Sequence, residues 1–262
     1  MSVEVKVERW VKGEITRTTD QVAEEQPVAL QYHGVPHVVM LATPSDLEDL
    51  AYGFTLSEEL VDSAAEIRGV DVTKGPEAAE VSISIAWERF PELLRRRRNL
   101  TGRTGCGLCG AETLAQAVRG HREVKTGPQV SIAQLHAAIV QIESLQPMNA
   151  ATGSVHAAAW VLPGKGIWAV REDVGRHNAL DKMIGAIVRA GRGFDEGFML
   201  VTSRASFEMV QKATAVGIGF MAALSAPTAF AIRDAERSGL TLVAFARRER
   251  HVVYAHGHRL TP

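Results

Sequence analysis

Cysteine is nearly absent: two in 262 residues, Cys106 and Cys109, both within GCGLCG. A scaffold stapled by several disulfides is thereby excluded. A surplus of charge of one sign is equally lacking. Lys and Arg number 29 against 30 Asp and Glu, so no global field draws nucleic acid or an anionic membrane, and an anionic ligand must be held by local clusters. No P-loop and no G-x-G-x-x-G occur, which leaves ordinary ATP or NAD chemistry without motif support. Zinc deaminases combine P-C-x-x-C with an upstream H-x-E, and that combination is missing as well. The chain opens on the alternating VEVKVERWV instead of a basic segment followed by an apolar one, so a cytoplasmic protein without a signal peptide is expected. One uncharged window, residues 213–232, has about the length needed to span a bilayer. Gly217, Gly219, Ser225 and Pro227 divide it into a helix end, a short strand and a new helix start, the pattern of a buried core.

With 46% hydrophobic and 23% charged residues the chain has the composition of a folded domain, and it is long enough for two. Residues 3–11, a hairpin over 28–41 turning near Gly34, and residues 79–86 read as strands around one helix. Thr43 is placed to cap that helix and Pro44 to occupy its first position, with the pattern running to Val61. From Trp87 to Gly110 the periodicity fails. The segment carries four consecutive arginines at 95–98 and reads as a solvated, functional loop. A helix is expected over 111–120. Another follows Ser131 and Gln134, which match a capping box.

Beyond it, strands at 156–162 and 167–170 and a helix over 176–189 lead into strict alternation: strand 198–202, helix 206–215, strand 220–224, helix 227–237, strand 240–245, then a last strand at 252–255. Right-handed crossovers make such strands parallel in one sheet with helices on its faces. The expected architecture is α/β: a smaller N-terminal α+β domain over 1–125 that includes the C-x-x-C loop, and a C-terminal three-layer domain over 126–262 with a mixed, largely parallel sheet.

The cysteine pair supports several chemistries. Glycines at 102, 105, 107 and 110 let the backbone approach a partner closely, while a helix start after Cys109 and nearby arginines favour thiolate. A structural disulfide, half of a zinc site completed elsewhere, a thioredoxin-like redox pair and a sulfur carrier holding a persulfide all remain open. Two cysteines alone do not close a tetrahedral site within one chain, so no structural metal is expected.

Ligands of parallel α/β sheets bind beyond the carboxyl ends of the strands, where helix N-termini point outward. Those positions hold Glu172, Asp173, Gly175, Arg176 and His177, then Ser203 and Arg204, then Ser225, then Arg247, Arg248 and Arg250. This is a phosphate-binding composition with a carboxylate or two. The bland alternative is that Arg176, Arg204 and Asp173 form structural ion pairs. His177 and Asp181, one helical turn apart, are placed to orient each other.

The segments GCGLCG, TGSVHAAAW, REDVGRHNALDKMIG, SRASFEMVQKA, SAPTAFAI and LTLVAF closely resemble the formate dehydrogenase accessory sulfurtransferases of the FdhD/NarQ family. The resemblance implies a cytoplasmic homodimer that takes sulfur from a cysteine desulfurase. It passes this sulfur to the bis-molybdopterin guanine dinucleotide form of the molybdenum cofactor before insertion into formate dehydrogenase. It further implies a cytidine-deaminase-like C-terminal domain, Cys106 as the persulfide-forming residue and Cys109 as its partner. The family's cofactor-binding segment falls on Ala246, Arg247, Arg248, Glu249, Arg250 and His251, where similar proteins often carry glycine and this chain has arginines in compensation. Ser203, Arg204, Asp173 and His177 complete the expected site, with Arg204, Arg247 and Arg248 on phosphates, Asp173 on the guanine edge, and GDP or GMP as an analogue ligand. A rival expectation is a molybdenum-cofactor chaperone for formate dehydrogenase that transfers no sulfur.

Overall fold

The computed structural model describes residues 1–98 and 122–262. Two hairpins come first. Strands β1 (Ser2–Val11) and β2 (Glu14–Ala23) pair antiparallel over their whole length, from Ser2 against Ala23 to Val11 against Glu14. Lys12 and Gly13, both at positive φ, make the two-residue turn whose twist suits a hairpin. β3 (Gln26–Tyr32) and β4 (Val35–Ala42) form the second hairpin. β6 (Ala79–Ile85) lies parallel to β3, and β5 (Ile67–Lys74) closes a sheet of order β4-β3-β6-β5. Its alternating inward residues Val28, Leu30, Val81 and Ile83 pack beneath helix α1 (Leu47–Ser57) through Leu50 and Ala51.

β2 and β5 lie outside the strands expected from alternation. β2 has almost no buried side chain, so only its backbone pairing makes it a strand. Helix α1 also starts later than expected, at Leu47, with Asp46 as N-cap in the left-handed region and no side-chain cap. Thr43 does not cap it. Its amide donates to Asp173 Oδ2 at 3.0 Å and its hydroxyl accepts from the Val174 amide at 3.2 Å, so a tertiary contact takes the group that local chemistry would spend on a cap. The arginine run belongs to helix α2 (Phe90–Arg98), not to a loop. Leu93 is buried there, Arg95 pairs with Glu92 one turn back, and these anchors outweigh four adjacent like charges. The helix expected over 111–120 lies outside the described residues, as do Cys106 and Cys109.

Past Val124, whose amide already bonds Ser238 O at 2.7 Å, the chain joins the larger unit. Here β8 (His156–Leu162), β9 (Gly166–Asp173), β10 (Phe198–Val201), β11 (Phe220–Ala223), β12 (Thr241–Ala244) and β13 (Val252–Ala255) form one sheet of order β13-β12-β11-β10-β8-β9. β10, β11 and β12 are parallel neighbours, as their crossover helices require. The sheet is less parallel than expected. β8 inserts antiparallel between β9 and β10, and β13 returns antiparallel along β12, because the tight turn after Leu162 makes a hairpin where a helix would have made a crossover.

Helix α3 (Ile132–Ser144) covers one face, packing Leu135, Ile139 and Ile142 on Ala157, Ala159, Phe198 and Phe220. Its capping box is formed as the sequence predicts, with Ser131 Oγ accepting from the Gln134 amide at 3.2 Å and Gln134 Oε1 from the Ser131 amide at 2.9 Å. A short α4 (Pro147–Thr152) follows. Helices α5 (Arg176–Arg189), α6 (Phe207–Ala215) and α7 (Ala229–Ser238) cover the other face, completing three layers. The apolar window at 213–232 is the end of α6, buried β11 and the start of α7. Among the described residues no helix is long and apolar enough to cross a membrane. A last strand pair, β7 (Val130–Ser131) with β14 (Leu260–Thr261), ties the C-terminus to the start of α3.

The two sheets meet through α1 and α5. A Cβ at Gly53 would overlap the carbonyl oxygen of Asp181, and one at Gly185 the carbonyl oxygen of Asp49, so each helix presents a glycine to the other's backbone. Gly185→Ala is therefore expected to destabilise the protein by about 3 kcal/mol through overpacking against a backbone that cannot yield. Gly69→Ala, with no neighbour near its would-be Cβ, should change stability little. Urea unfolding of both variants checks this, and equal midpoints would mean that the helices separate readily.

Candidate functional site

β9, β10, β11 and β12 run in one direction and end at one edge of the sheet, where α5, α6 and α7 begin. Antiparallel β8 begins there, with His156 opposite Asp173. β8 also pairs with β10, Ala158 opposite Val201, and the Thr202 amide bonds Ala157 O at 3.0 Å. β10 ends at Val201, and Ser203 lies in the bend that follows. His156 and Asp173 thus lie side by side on the face covered by α5, since their pleat parity matches Ala158.

Asp173 is fully buried and fully engaged. Oδ1 accepts from the Gly175 amide (2.8 Å) and Asn178 Nδ2 (3.0 Å), while Oδ2 accepts from the Thr43 amide (3.0 Å) and Lys182 Nζ (2.6 Å). A guanine edge would have to displace these partners. Lys182 also donates to Thr43 O at 2.9 Å, and burial pulls the Lys182 pKa down against the pull of Asp173. Glu172 is likewise occupied, accepting the Met148 and Asn149 amides at the start of α4.

His177 and Asp181 do not orient each other. Helix α6 carries Glu208 and Lys212 at the same one-turn spacing, and the two helices pair across: His177 Nε2 with Glu208 Oε2 at 3.1 Å, Lys212 Nζ with Asp181 Oδ2 at 2.8 Å. Ser57 Oγ donates to Asp181 Oδ1 at 2.6 Å. Glu208 also accepts from Ser206 Oγ at 3.1 Å and lies 3.8 Å from Arg176. The His177 hydrogen bond holds its carboxyl below the usual carboxylate range. Arg176 Nε is buried without a hydrogen-bond partner, and Arg204 is exposed with none among the described residues. Half-buried His156 has its pKa lowered by desolvation and then by Arg176, His177 and Arg204.

The ARRERH turn sits elsewhere on the edge. Phe245, at positive φ, ends β12, and Ala246 is buried with its amide on Ala223 O at 3.1 Å. The Arg247 amide closes the turn on Arg250 O at 2.7 Å, while its guanidinium folds onto Ala246 O (2.9 Å) and Leu224 O. Arg248 pairs with Glu143, and His251 Nδ1 lies 3.1 Å from His136 Nε2; both partners are on α3. Glu249 and Arg250 are exposed. The expected residues therefore form two groups. His177, Arg204 and Asp173 gather about His156 on the α5 side of β8 and β9, with Ser203 in the bend after β10, and residues 246–251 lie on the α3 side of β12, with β11 between them.

A family model for the FdhD/NarQ family matches residues 23–261. The chain belongs to the FdhD/NarQ family. Within it, the chain is 49% identical over 254 residues to the sulfur carrier protein FdhD of Cupriavidus necator, covering 97% of this chain and 88% of that one. It is also 49% identical over 259 residues to the FdhD of Xanthomonas axonopodis pv. citri, covering 99% and 92%. A crystal structure from Desulfotalea psychrophila, described as a formate dehydrogenase accessory protein, superposes with a TM-score of 0.79 at 23% identity over 99% of both chains, a likeness of fold.

In this FdhD/NarQ chain no group of three or more metal-type ligands forms among the described residues. His33 and His37 have a spacing that suits metal on a helix, but His33 stands in the β3–β4 turn and His37 within β4, and His33 is stacked on Trp87 with its Nε2 at the Ile85 backbone. Sequence reasoning passed over His156, Glu208, Lys182 and Lys212. Glu208 and Lys212 carry a readable signal, opposite charges one helical turn apart, whereas Lys182 has no charge three or four residues away and His156 is found only through the β8 register. Because Glu208 is held acidic in the fold, its contribution is complete above the ordinary carboxylate range and is lost as pH falls through its depressed value. Glu208→Gln should cost about 1 kcal/mol at pH 7 and less near pH 3. Denaturant melts at the two pH values check this; an equal difference at both would assign Glu208 a packing role only.

Proposed function

We propose that this protein is a sulfur carrier that accepts sulfur as a persulfide on Cys106 and delivers it to the molybdenum cofactor destined for formate dehydrogenase. The observation that carries this reading is the company its only two thiols keep. They stand in GCGLCG within a chain whose relatives, at 49% identity over nearly its whole length, are sulfur carrier proteins.

In the proposed transfer, Cys106 thiolate attacks the terminal sulfur of a persulfide on a cysteine desulfurase. A new S–S bond forms at Cys106, the donor's S–S bond breaks, and the donor cysteine leaves as thiolate. Cys109 thiolate can then attack Cys106 Sγ, forming the intrachain disulfide and expelling the terminal sulfur as hydrosulfide toward bound cofactor; a thiol reductant restores the pair. This makes the protein a sulfurtransferase acting between two protein partners, with a homodimer as its working form. The substrate, bis-molybdopterin guanine dinucleotide, carries diphosphates, and the exposed guanidinium groups of Arg248, Arg250 and Arg204 suit them. GDP or GMP would serve as analogue. Asp173 is better assigned as a structural tie than as a base-reading group, since all four of its acceptor positions are used.

Cys106→Ala should carry no sulfane sulfur after incubation with a desulfurase and cysteine, fail to support formate dehydrogenase activity, and melt like the parent. Mass spectrometry, complementation and a thermal melt test this together. Normal dehydrogenase activity from the variant would sink sulfur transfer and leave a cofactor chaperone.

Arg247→Ala combined with Arg248→Ala should load sulfur normally yet mature little dehydrogenase, because the turn lies on the sheet edge and not in the cysteine segment. Loss of loading in a stably folded double variant would place the turn in the sulfur-accepting step instead.

A further inference from the structure

The cation group on the α5 side of the edge has a single carboxylate, Glu208, against two guanidiniums and two imidazoles once Asp173 is matched by Lys182. Across β8, β9 and β10 it brings together His156, Arg176, His177 and Arg204, and the carboxylates facing them are committed. Asp173 is held by Lys182, Asn178 and backbone amides, and Glu208 by His177 and Ser206 with Arg176 at 3.8 Å. Arg176 keeps a buried Nε with no acceptor. Among the described residues the group therefore holds two guanidiniums with spare donors and one imidazole set among positive neighbours. Strands are about 4.8 Å apart, so roughly 10 Å separate the end of β12 from that of β10, and about 14 Å separate it from the start of β8. The arginine turn, tied to α3 by Arg248–Glu143 and His251–His136, is a separate place.

We propose that His156, Arg176, His177 and Arg204 form a second subsite for a phosphate or diphosphate group, distinct from the arginine turn, whose occupation is coupled to uptake of one proton by His156. The proposal deepens the reading of the edge as a cofactor site, since a ligand with two phosphate-bearing arms would engage both places at once. The proton comes from solvent, and no covalent bond changes. The coupling follows from the register. Opposite Asp173, His156 faces Arg176 and His177 from α5 and Arg204 from the loop after β10, and burial followed by repulsion from these three keeps it neutral against the opposing pull of Asp173. A phosphate dianion seated among them reverses the sign of the local field and makes the imidazolium the favoured form.

The test is a histidine NMR titration of the full chain carrying 13C-labelled imidazoles, with and without inorganic pyrophosphate, His156 being assigned by the loss of its signal in His156→Gln. Free His156 should titrate below the ordinary histidine range and move up by about one pH unit or more with pyrophosphate, a tenfold gain in proton affinity. Arg176→Gln with Arg204→Gln should raise the titration of free His156 and weaken the effect of pyrophosphate about tenfold. Arg248→Gln should leave both unchanged. A His156 titration that ignores pyrophosphate, or a response that survives the Arg176/Arg204 change and disappears with Arg248→Gln, overturns the proposal. Near-UV circular dichroism of each variant separates misfolding from loss of the subsite, and a misfolded double variant is replaced by each single change. Sulfur loading on Cys106 is measured apart from all of this, so failure of the carrier reading and failure of the subsite register as different results.

Discussion

The union of the two sheets hangs on the contact between α1 and α5. Two glycines, one on each helix, bring backbone against backbone without intervening side chains, and two buried ion pairs carried by adjacent residues of α5 tie down the chain before α1 and its last residue. Lys182 and Asp173 hold Thr43; Lys212 and Asp181 hold Ser57. Each pair contains one lysine, one aspartate and a group from the N-terminal unit, so neither is complete without both halves. Removing one partner of such a pair leaves a buried charge unpaired, which costs more than the pair contributes.

The same contact decides what is left over at the sheet edge. Because α5 must offer Asp181 and Lys182 inward, its first turn offers Arg176 and His177 at the carboxyl ends of the strands, where α6 provides a single carboxylate. The cations there exceed the anions because the fold has used the nearby aspartates elsewhere. A composition with 29 basic and 30 acidic residues thus produces a locally positive place through allocation, without any global imbalance.

Much of this was legible in the sequence. The alternation from 198 to 245 maps onto β10 to β12 with their crossover helices because each element is apolar at its own period and ends at a polar or glycine signal. The capping box at Ser131 needed only local chemistry. What local chemistry could not supply was competition from distant groups. Thr43 and Pro44 form a sound helix start that Asp173 overrides from 130 residues away. His177 and Asp181 stand at helical spacing, yet α6 presents a partner for each. β2 has no apolar pattern and exists by pairing alone. Arg204 and Arg247 both follow strands of one sheet, and only the strand order, with β11 between them and helices on opposite faces, shows that they serve different places.

The first hairpin stands apart from this tightly coupled body. β1 and β2 are paired over ten residues each, but their side chains are mostly exposed, Trp10 and Ile15 meet across the ladder near its tip, and its nearest helix is the short α4. A two-stranded ribbon with so little buried beneath it has scarcely any free energy of its own beyond the ladder. Among the described residues it shares no buried side chain with the cores joined by the glycine contact, the arrangement of a separate low-stability foldon. The molecule therefore has two thermodynamic layers: a cooperative body that fixes the sheet edge, and an arm whose order is set by whatever surface lies against it.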